Sequence, residues 1–209
     1  MTTLSVIIPT QGRDTLERTL RSCLDAGLRP DDEILVVADT HEPLIGNIIE
    51  MMSRAMRSMD LYIPNNFLVT HDAGHHCFGH CQINHGLEIA RGDYIVLNDD
   101  DDVFASGAFD RIRAAADELP EPRPLLFRFQ SMFGVVYWLE PHAGTAYEGQ
   151  IGGHCAVFPN DKRLGRFSCR YNGDYDYIRS TLDNWGGDSE AVWIDDVIAI
   201  ARPPVEVLV

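Results

Sequence analysis

The sequence predicts an α/β protein: an open, mostly parallel sheet with helices on both faces, continued by a mixed half with antiparallel pieces. Three observations carry this. Short continuous apolar runs alternate with helical spacings as far as Leu97, the rhythm changes after Asp102, and 45% of the 209 residues are hydrophobic, ample for a shared core.

Leu4 to Ile8 is a continuous apolar run, the pattern of a strand buried on both faces. From Thr15 to Cys23 the spacing becomes helical, with apolar residues at Leu16, Leu20, Cys23 and Leu24. The alternation repeats with a strand at Ile34 to Val37, a methionine-rich helix over Ile48 to Met59, a short strand at Phe67 to Val69, a helix at Ile83 to Ala90 and a strand at Tyr94 to Leu97. Buried strands separated by helices require crossover connections and hence parallel pairing. Beyond Asp102 a helix over Ala105 to Glu118 stops at Pro120, Pro122 and Pro124. Strand-like runs follow at Leu125 to Phe129, Val135 to Leu139 and Cys155 to Phe158, then a helix from about Tyr175 to Trp185. Val192 to Val209 supplies one or two strands broken at Pro203 and Pro204. No repeat or flexible linker interrupts the chain, so 1–209 reads as one domain with a ligand-binding half (1–102) and a second half (103–209) sharing its core.

Seventeen Lys plus Arg against 32 Asp plus Glu leave a net charge of −15, which counts against extensive nucleic-acid binding. Lys162 is the single lysine, so the cations are almost all arginines, suited to bidentate grip on phosphate or carboxylate. That balance favours small anions held through a metal or a few arginines. No apolar run is long enough to span a membrane and the chain opens directly on a core strand, so the expected location is the cytoplasm. Cys23, Cys77, Cys81, Cys155 and Cys169 are odd in number and scattered, and are expected to be reduced thiols.

In an open parallel sheet the ligand crevice lies beyond the carboxyl ends of the strands. The first strand is followed by Pro9, Thr10, Gln11, Gly12 and Arg13, the second by Asp39, and the run ending at Leu97 by Asn98 and four consecutive aspartates, Asp99 to Asp102. Adjacent carboxylates repel, and a cation or solvent must relieve them. Asp99 and Asp101, two apart in an extended segment, would face the same way and suit one hard divalent ion. A solvated acidic turn is the plainer reading; the position directly after a buried strand favours magnesium or manganese beside a bound diphosphate.

These residues resemble glycosyltransferase family 2. SVIIPTQGR is similar to that family's opening strand and loop, ILVVAD to its second strand, which ends in a uracil-contacting aspartate, and NHGLEIARGDYIVLNDDDD to its N-x-G, A-x-G-D-Y-I and D-x-D stretch. GGHCAVF, LGRF and GDYDYIRSTL resemble its acceptor-side strand, loop and catalytic-carboxylate helix. The resemblance covers roughly residues 4–182. It implies the nucleotide-sugar-binding GT-A fold and a metal-dependent, inverting transfer of sugar from a nucleoside-diphosphate sugar, UDP-sugar favoured, to an acceptor hydroxyl of unknown identity. It also implies that Asp99 and Asp101 hold Mn2+ or Mg2+ and the donor, that Asp100 also binds the donor, that Pro9, Thr10, Arg13 and Asp39 surround the nucleoside, and that Asn84 lies near the donor. The aligned base is Asp174, with Asp176 a competitor. Where the family commonly has Ala-Arg-Asn this chain has Gln82, Ile83 and Asn84, and where it often has Glu-Asp this chain has Gly173 and Asp174.

Inverting transfer needs a carboxylate to take the acceptor proton while negative charge develops on the departing diphosphate. A divalent ion stabilises that leaving group. For Asp174 the plainer role is a helix cap.

Other signals have plain readings beside functional ones. The segment His71 to His85 is dense in zinc ligands, but His76/His80 and Cys77/Cys81 diverge on one short helix and need a ligand from elsewhere to close a tetrahedron, so packed or pocket-lining side chains are expected. His154 could reach the metal or acceptor, against a satisfied strand histidine. Trp138, Trp185 and Trp193 offer sugar platforms but fit core packing better. Met51, Met52, Met56 and Met59 read as core or as a self-association face of a homodimer. Two rival functions remain: a haloacid-dehalogenase-like phosphatase using Asp99 as nucleophile, and a noncatalytic nucleotide-sugar-binding module. A sugar nucleotidyltransferase would want a glycine-rich phosphate loop, and PTQGR is poor in glycine.

Overall fold

A computed structural model describes residues 1–39, 46, 48, 50, 54, 66–71 and 77–204. Its strands are β1 (Leu4–Thr10), β2 (Glu33–Asp39), β3 (Asn66–His71), β4 (Tyr94–Leu97), β5 (Val103–Phe104), β6 (Leu125–Gln130), β7 (Val136–Tyr137), β8 (Ala156–Pro159) and β9 (Val192–Ile200). Four helices are described in full: α1 (Leu16–Asp25), α2 (His80–Ile89), α3 (Ala108–Asp117) and α4 (Gly173–Trp185). The sheet runs β3-β2-β1-β4-β8-β6-β9-β5, with β7 paired to β6. β3, β2, β1 and β4 are mutually parallel; β8 turns antiparallel to both β4 and β6. The predicted division into a parallel and a mixed half therefore holds. Within the mixed half β6 and β9 run parallel, beside the antiparallel β6–β7 and β6–β8 pairs.

The continuous apolar runs are explained by two-sided burial. Leu4, Val6 and Ile8 of β1 and Val36 of β2 join Leu16, Leu20 and Cys23 of α1 and Phe109 and Ile112 of α3 on one face. Ile7, Leu35, Val37, Ile95 and Leu97 face the other way, onto Ile83 and Leu87 of α2 and Tyr177, Ile178 and Leu182 of α4. Each side chain so buried contributes about 1.5–3 kcal/mol of transfer free energy.

Gly92 sits in the turn before β4, where an added Cβ would lie 2.6 Å from the Leu4 carbonyl carbon and the Ser5 nitrogen. The invading atom would meet backbone, which has no rotamer to escape into. Gly92→Ala is expected to cost roughly 2 kcal/mol and to lower Tm by about 4–8 °C. An unchanged thermal melt would contradict this packing.

Several sequence expectations change on contact with the structure. Of the helix expected over Ile48 to Met59, Ile48, Glu50 and Arg54 are helical and Ile48 is buried, while the four methionines lie outside the described residues. Asp99 to Asp102 is not extended: the Asp102 amide donates to the Asp99 carbonyl at 3.2 Å and closes a turn. The thiols are not all reduced, because Cys77 and Cys169 form a disulfide across 92 residues. Sequence spacing could not reveal that pairing, since it joins the head of α2 to the loop before α4. Among the described residues no helix is long and apolar enough to cross a membrane.

Candidate active site

β1 has β2 on one side and β4 on the other, so the strand order reverses there and a crevice opens beyond the ends of β1 and β4. A cavity of about 570 Å³ occupies that position. Pro9, Thr10, Gln11 and Arg13 line it from β1, Asn98, Asp99 and Asp100 from β4, and Gly153, His154, Asp174 and Arg202 from the second half.

The four aspartates have divided tasks. Asp100 is the structural one: its Oδ2 accepts from Thr10 Oγ1 at 2.7 Å and the Gln11 amide at 3.3 Å, and its Oδ1 from Arg13 Nη1 at 3.0 Å. It locks the β1 loop to the β4 loop. Asp99, Asp101 and Asp102 bring one carboxylate oxygen each within 4.8 Å of one another. The turn thus adds Asp102 to the expected pair. Burial, reinforced by Asp102, pushes the Asp99 carboxyl up to about 7, although its side chain opens onto the cavity. Burial also lifts Asp102 to about 7. Arg13 Nη1 and Arg202 Nε reach Asp101 Oδ2 at 2.9 and 3.2 Å, so two guanidiniums relieve the acidic turn.

The residues present fit a divalent cation. Asp101 Oδ1 and both polar side-chain atoms of Asn98 are buried without a hydrogen-bond partner, an arrangement costly unless something binds them. A set of carboxylate oxygens suits a hard ion such as Mg2+ or Mn2+.

His154 stands between this turn and α4. Its Nδ1 lies 3.5 Å from Asp102 Oδ2, its buried Nε2 has no partner, and its ring packs edge-on against Phe129 at 4.2 Å. Burial holds the imidazole below its usual pKa and hence neutral at pH 7. The absence of a side chain at Gly152 makes this approach possible: a Cβ there would meet His154 Cε1 at 3.0 Å and Asp174 Oδ2 at 3.4 Å.

The structure separates the two candidate bases. Asp174 lines the cavity in the first turn of α4, with its Oδ1 on the Tyr175 amide at 2.9 Å. Asp176 is consumed elsewhere: Arg170 and Ser168 both donate to it, and those bonds hold its carboxyl below the usual range. The helix cap is Asn172, so Asp174 is not used in that way.

Asn84 is placed differently from expectation, while Asp39 ends its strand as expected. Asn84 does not line the cavity; its amide donates to the Phe167 carbonyl at 2.8 Å and accepts the Phe167 amide at 2.9 Å, tying the loop before α4 to α2. Asp39 ends β2, paired with His71 of β3, and its side chain lies outside the described residues. The tryptophans are not platforms: Trp138 is buried edge-on against Trp193, and Arg163 covers Trp185. Where it is described, the histidine- and cysteine-rich segment supplies packed and pocket-lining side chains, as expected. His80 Nδ1 meets the Ser168 carbonyl at 2.8 Å, and Cys81 Sγ donates to Cys77 Sγ at 2.8 Å beside the disulfide, while His71 side-chain contacts and residues 72–76 are outside the described set. Sequence reasoning missed Arg202, which sits in a tail read as structural, and the roles of Asn98 and Asp102.

The family model Glycosyl transferase family 2 matches residues 5–122. No curated protein sequence matches the chain. Among solved structures, S. aureus TarS superposes with a TM-score of 0.70 at 12% identity, covering 96% of this chain and 36% of its own. TarS residues 1–349 in complex with UDP-GlcNAc gives 0.69 at 12% identity, covering 96% and 58%. The mannosyltransferase PcManGT from Pyrobaculum calidifontis, in complex with GDP-Man and Mn2+, gives 0.67 at 18% identity, covering 98% and 58%. The chain thus spans between about a third and three-fifths of these proteins, and the likeness is one of fold.

Proposed function

This chain belongs to glycosyltransferase family 2, and on that premise we propose that it transfers a sugar, with inversion, from a nucleoside-diphosphate donor held through Mn2+ or Mg2+ to an acceptor hydroxyl. The observation that carries the reading is the Asp99, Asp101 and Asp102 turn, with its unpartnered Asn98 and Asp101 atoms, across one cavity from Asp174. The solved neighbours in complex with UDP-GlcNAc, and with GDP-Man and Mn2+, support the donor class. Resemblance of the β2 segment favours uridine. The phosphatase alternative has no support from the family match.

Asp99, Asp101 and Asp102 would hold the cation, which would supply positive charge to a departing diphosphate. Arg13 and Arg202, now on Asp101, stand where a diphosphate would offer them an anionic partner. Pro9 and Thr10 bound the nucleoside side. Asp174, in the first turn of α4, removes the acceptor proton as the oxygen attacks the anomeric carbon. Asp100 and Asn84 keep the loops in register.

Metal linkage supplies the test. Asp99 and Asp102 titrate near 7 in the folded protein, above the unfolded value of about 3.9, so their ionisation above pH 7 weakens the metal-free fold and the penalty fades as pH falls below 7. A cation opposes that penalty only where the carboxylates are charged. Thermal melts with UDP-sugars and GDP-sugars, with and without manganese, are expected to show a rise of about 5–10 °C at a hundredfold excess over Kd at pH 8. The rise should be clearly smaller at pH 6. No manganese-dependent shift with any of these donors would overturn the reading.

A further inference from the structure

Phe78 and Tyr171 are 60% and 76% exposed, yet both line the same cavity as Asp174. Their rings meet nearly edge to face, with centroids 6.2 Å apart at 76°. Together they leave an open aromatic surface at the cavity mouth. Exposing two large rings forgoes burial, and the chain holds them there at further cost: Phe78 adopts φ 54°, a left-handed conformation rare for a bulky residue.

Three links fix this rim. The Cys77–Cys169 disulfide joins the residue before Phe78 to the residue two before Tyr171. His80 meets the Ser168 carbonyl, and Asn84 pairs with both backbone groups of Phe167. The head of α2 and the loop leading into α4 are therefore one unit, and Tyr171 lies three residues before the proposed base. Surface aromatics that were incidental would not need a covalent link and two hydrogen-bonded ties to hold them in a strained backbone.

We propose that Phe78 and Tyr171 form the acceptor subsite, and that the acceptor is a saccharide presenting the C–H face of a pyranose ring to them. This rests on the glycosyltransferase reading above. Pyranose faces carry C–H groups that pack on aromatic rings, while their equatorial hydroxyls point outward to polar neighbours such as Asn172 and Gln82, which line the same cavity. The donor nucleoside is proposed at Pro9 and Thr10, and Pro9 lies close to Gly79, the residue after Phe78, so the saccharide subsite adjoins the donor.

The test is saturation-transfer NMR on the intact protein with UDP and manganese present. The probes are methyl β-D-glucopyranoside, methyl β-D-mannopyranoside and methyl N-acetyl-β-D-glucosaminide, with sorbitol as a polyol lacking a ring face. At least one pyranoside is expected to bind through its ring protons, and sorbitol is not. Tyr171→Ala and Phe78→Ala should each weaken that binding by about fivefold or more, and Tyr171→Trp should retain it. These exposed positions leave the core intact, and the melt of each variant checks that. Failure of all three pyranosides, equal binding of sorbitol, or undiminished binding by both alanine variants would overturn the subsite. Loss of UDP affinity in place of pyranoside affinity would also overturn it, by assigning the rings to the nucleobase. If the unaltered protein does not bind UDP with manganese, it is the donor reading that fails, and the pyranoside arm reports on the subsite separately.

Discussion

Asp174→Ala is expected to lower the rate of sugar transfer by about 10²–10⁴-fold while UDP binding in the presence of manganese stays within about twofold. The argument is positional. Asp174 faces the cavity beside His154 and Gly152, whereas Asp176 is already bound by Arg170 and Ser168. A carboxylate saturated with donors is a poor proton acceptor, and Asp176 is held in its ionised form by those same bonds. Asp176→Asn should accordingly disturb the Arg170 loop more than the chemistry. Steady-state kinetics with a donor panel, paired with UDP calorimetry, separates the cases. Transfer that survives Asp174→Ala but fails in Asp176→Asn would reverse the assignment, and an unaltered protein that binds donor without transfer would be a binding module.

Asp101→Ala should produce the second large effect: loss of manganese-dependent UDP affinity by about 100-fold or more. Even groups that only support metal ligands cost roughly 10–100-fold when removed, and Asp101 contributes an oxygen to the cluster itself. The substitution also removes the carboxylate that Arg13 and Arg202 share. Metal-independent UDP binding could rise slightly in this variant, as the guanidiniums lose their internal partner. Titration calorimetry with manganese and with chelator reads both terms. An Asp101→Ala protein with unaltered manganese dependence would remove the turn from the donor site.

Legibility in the sequence followed locality. The parallel half could be read because β1, β2 and β4 are buried on both faces and appear as unbroken apolar runs, and because a strand tip followed by PTQGR or NDDDD is polar for a reason. Extended geometry for Asp99 to Asp102 misled, since four like residues carry no turn signal and the turn is closed by a backbone bond. Long-range pairings were invisible: the Cys77–Cys169 bridge, Arg202 on Asp101, and Asn84 on Phe167 join residues 83 to 101 positions apart. Core packing of the tryptophans is legible from their chemistry, but the exposure of Phe78 and Tyr171 depends on the backbone around them, which composition does not encode.

The most direct test of the central claim is a manganese titration followed by the electron paramagnetic resonance of the free ion, at pH 8, with and without UDP. The account predicts that the protein removes about one equivalent of manganese from the free signal, more tightly when UDP is present, and that Asp101→Ala abolishes this uptake. A free-ion signal that tracks the added manganese in both proteins would contradict it.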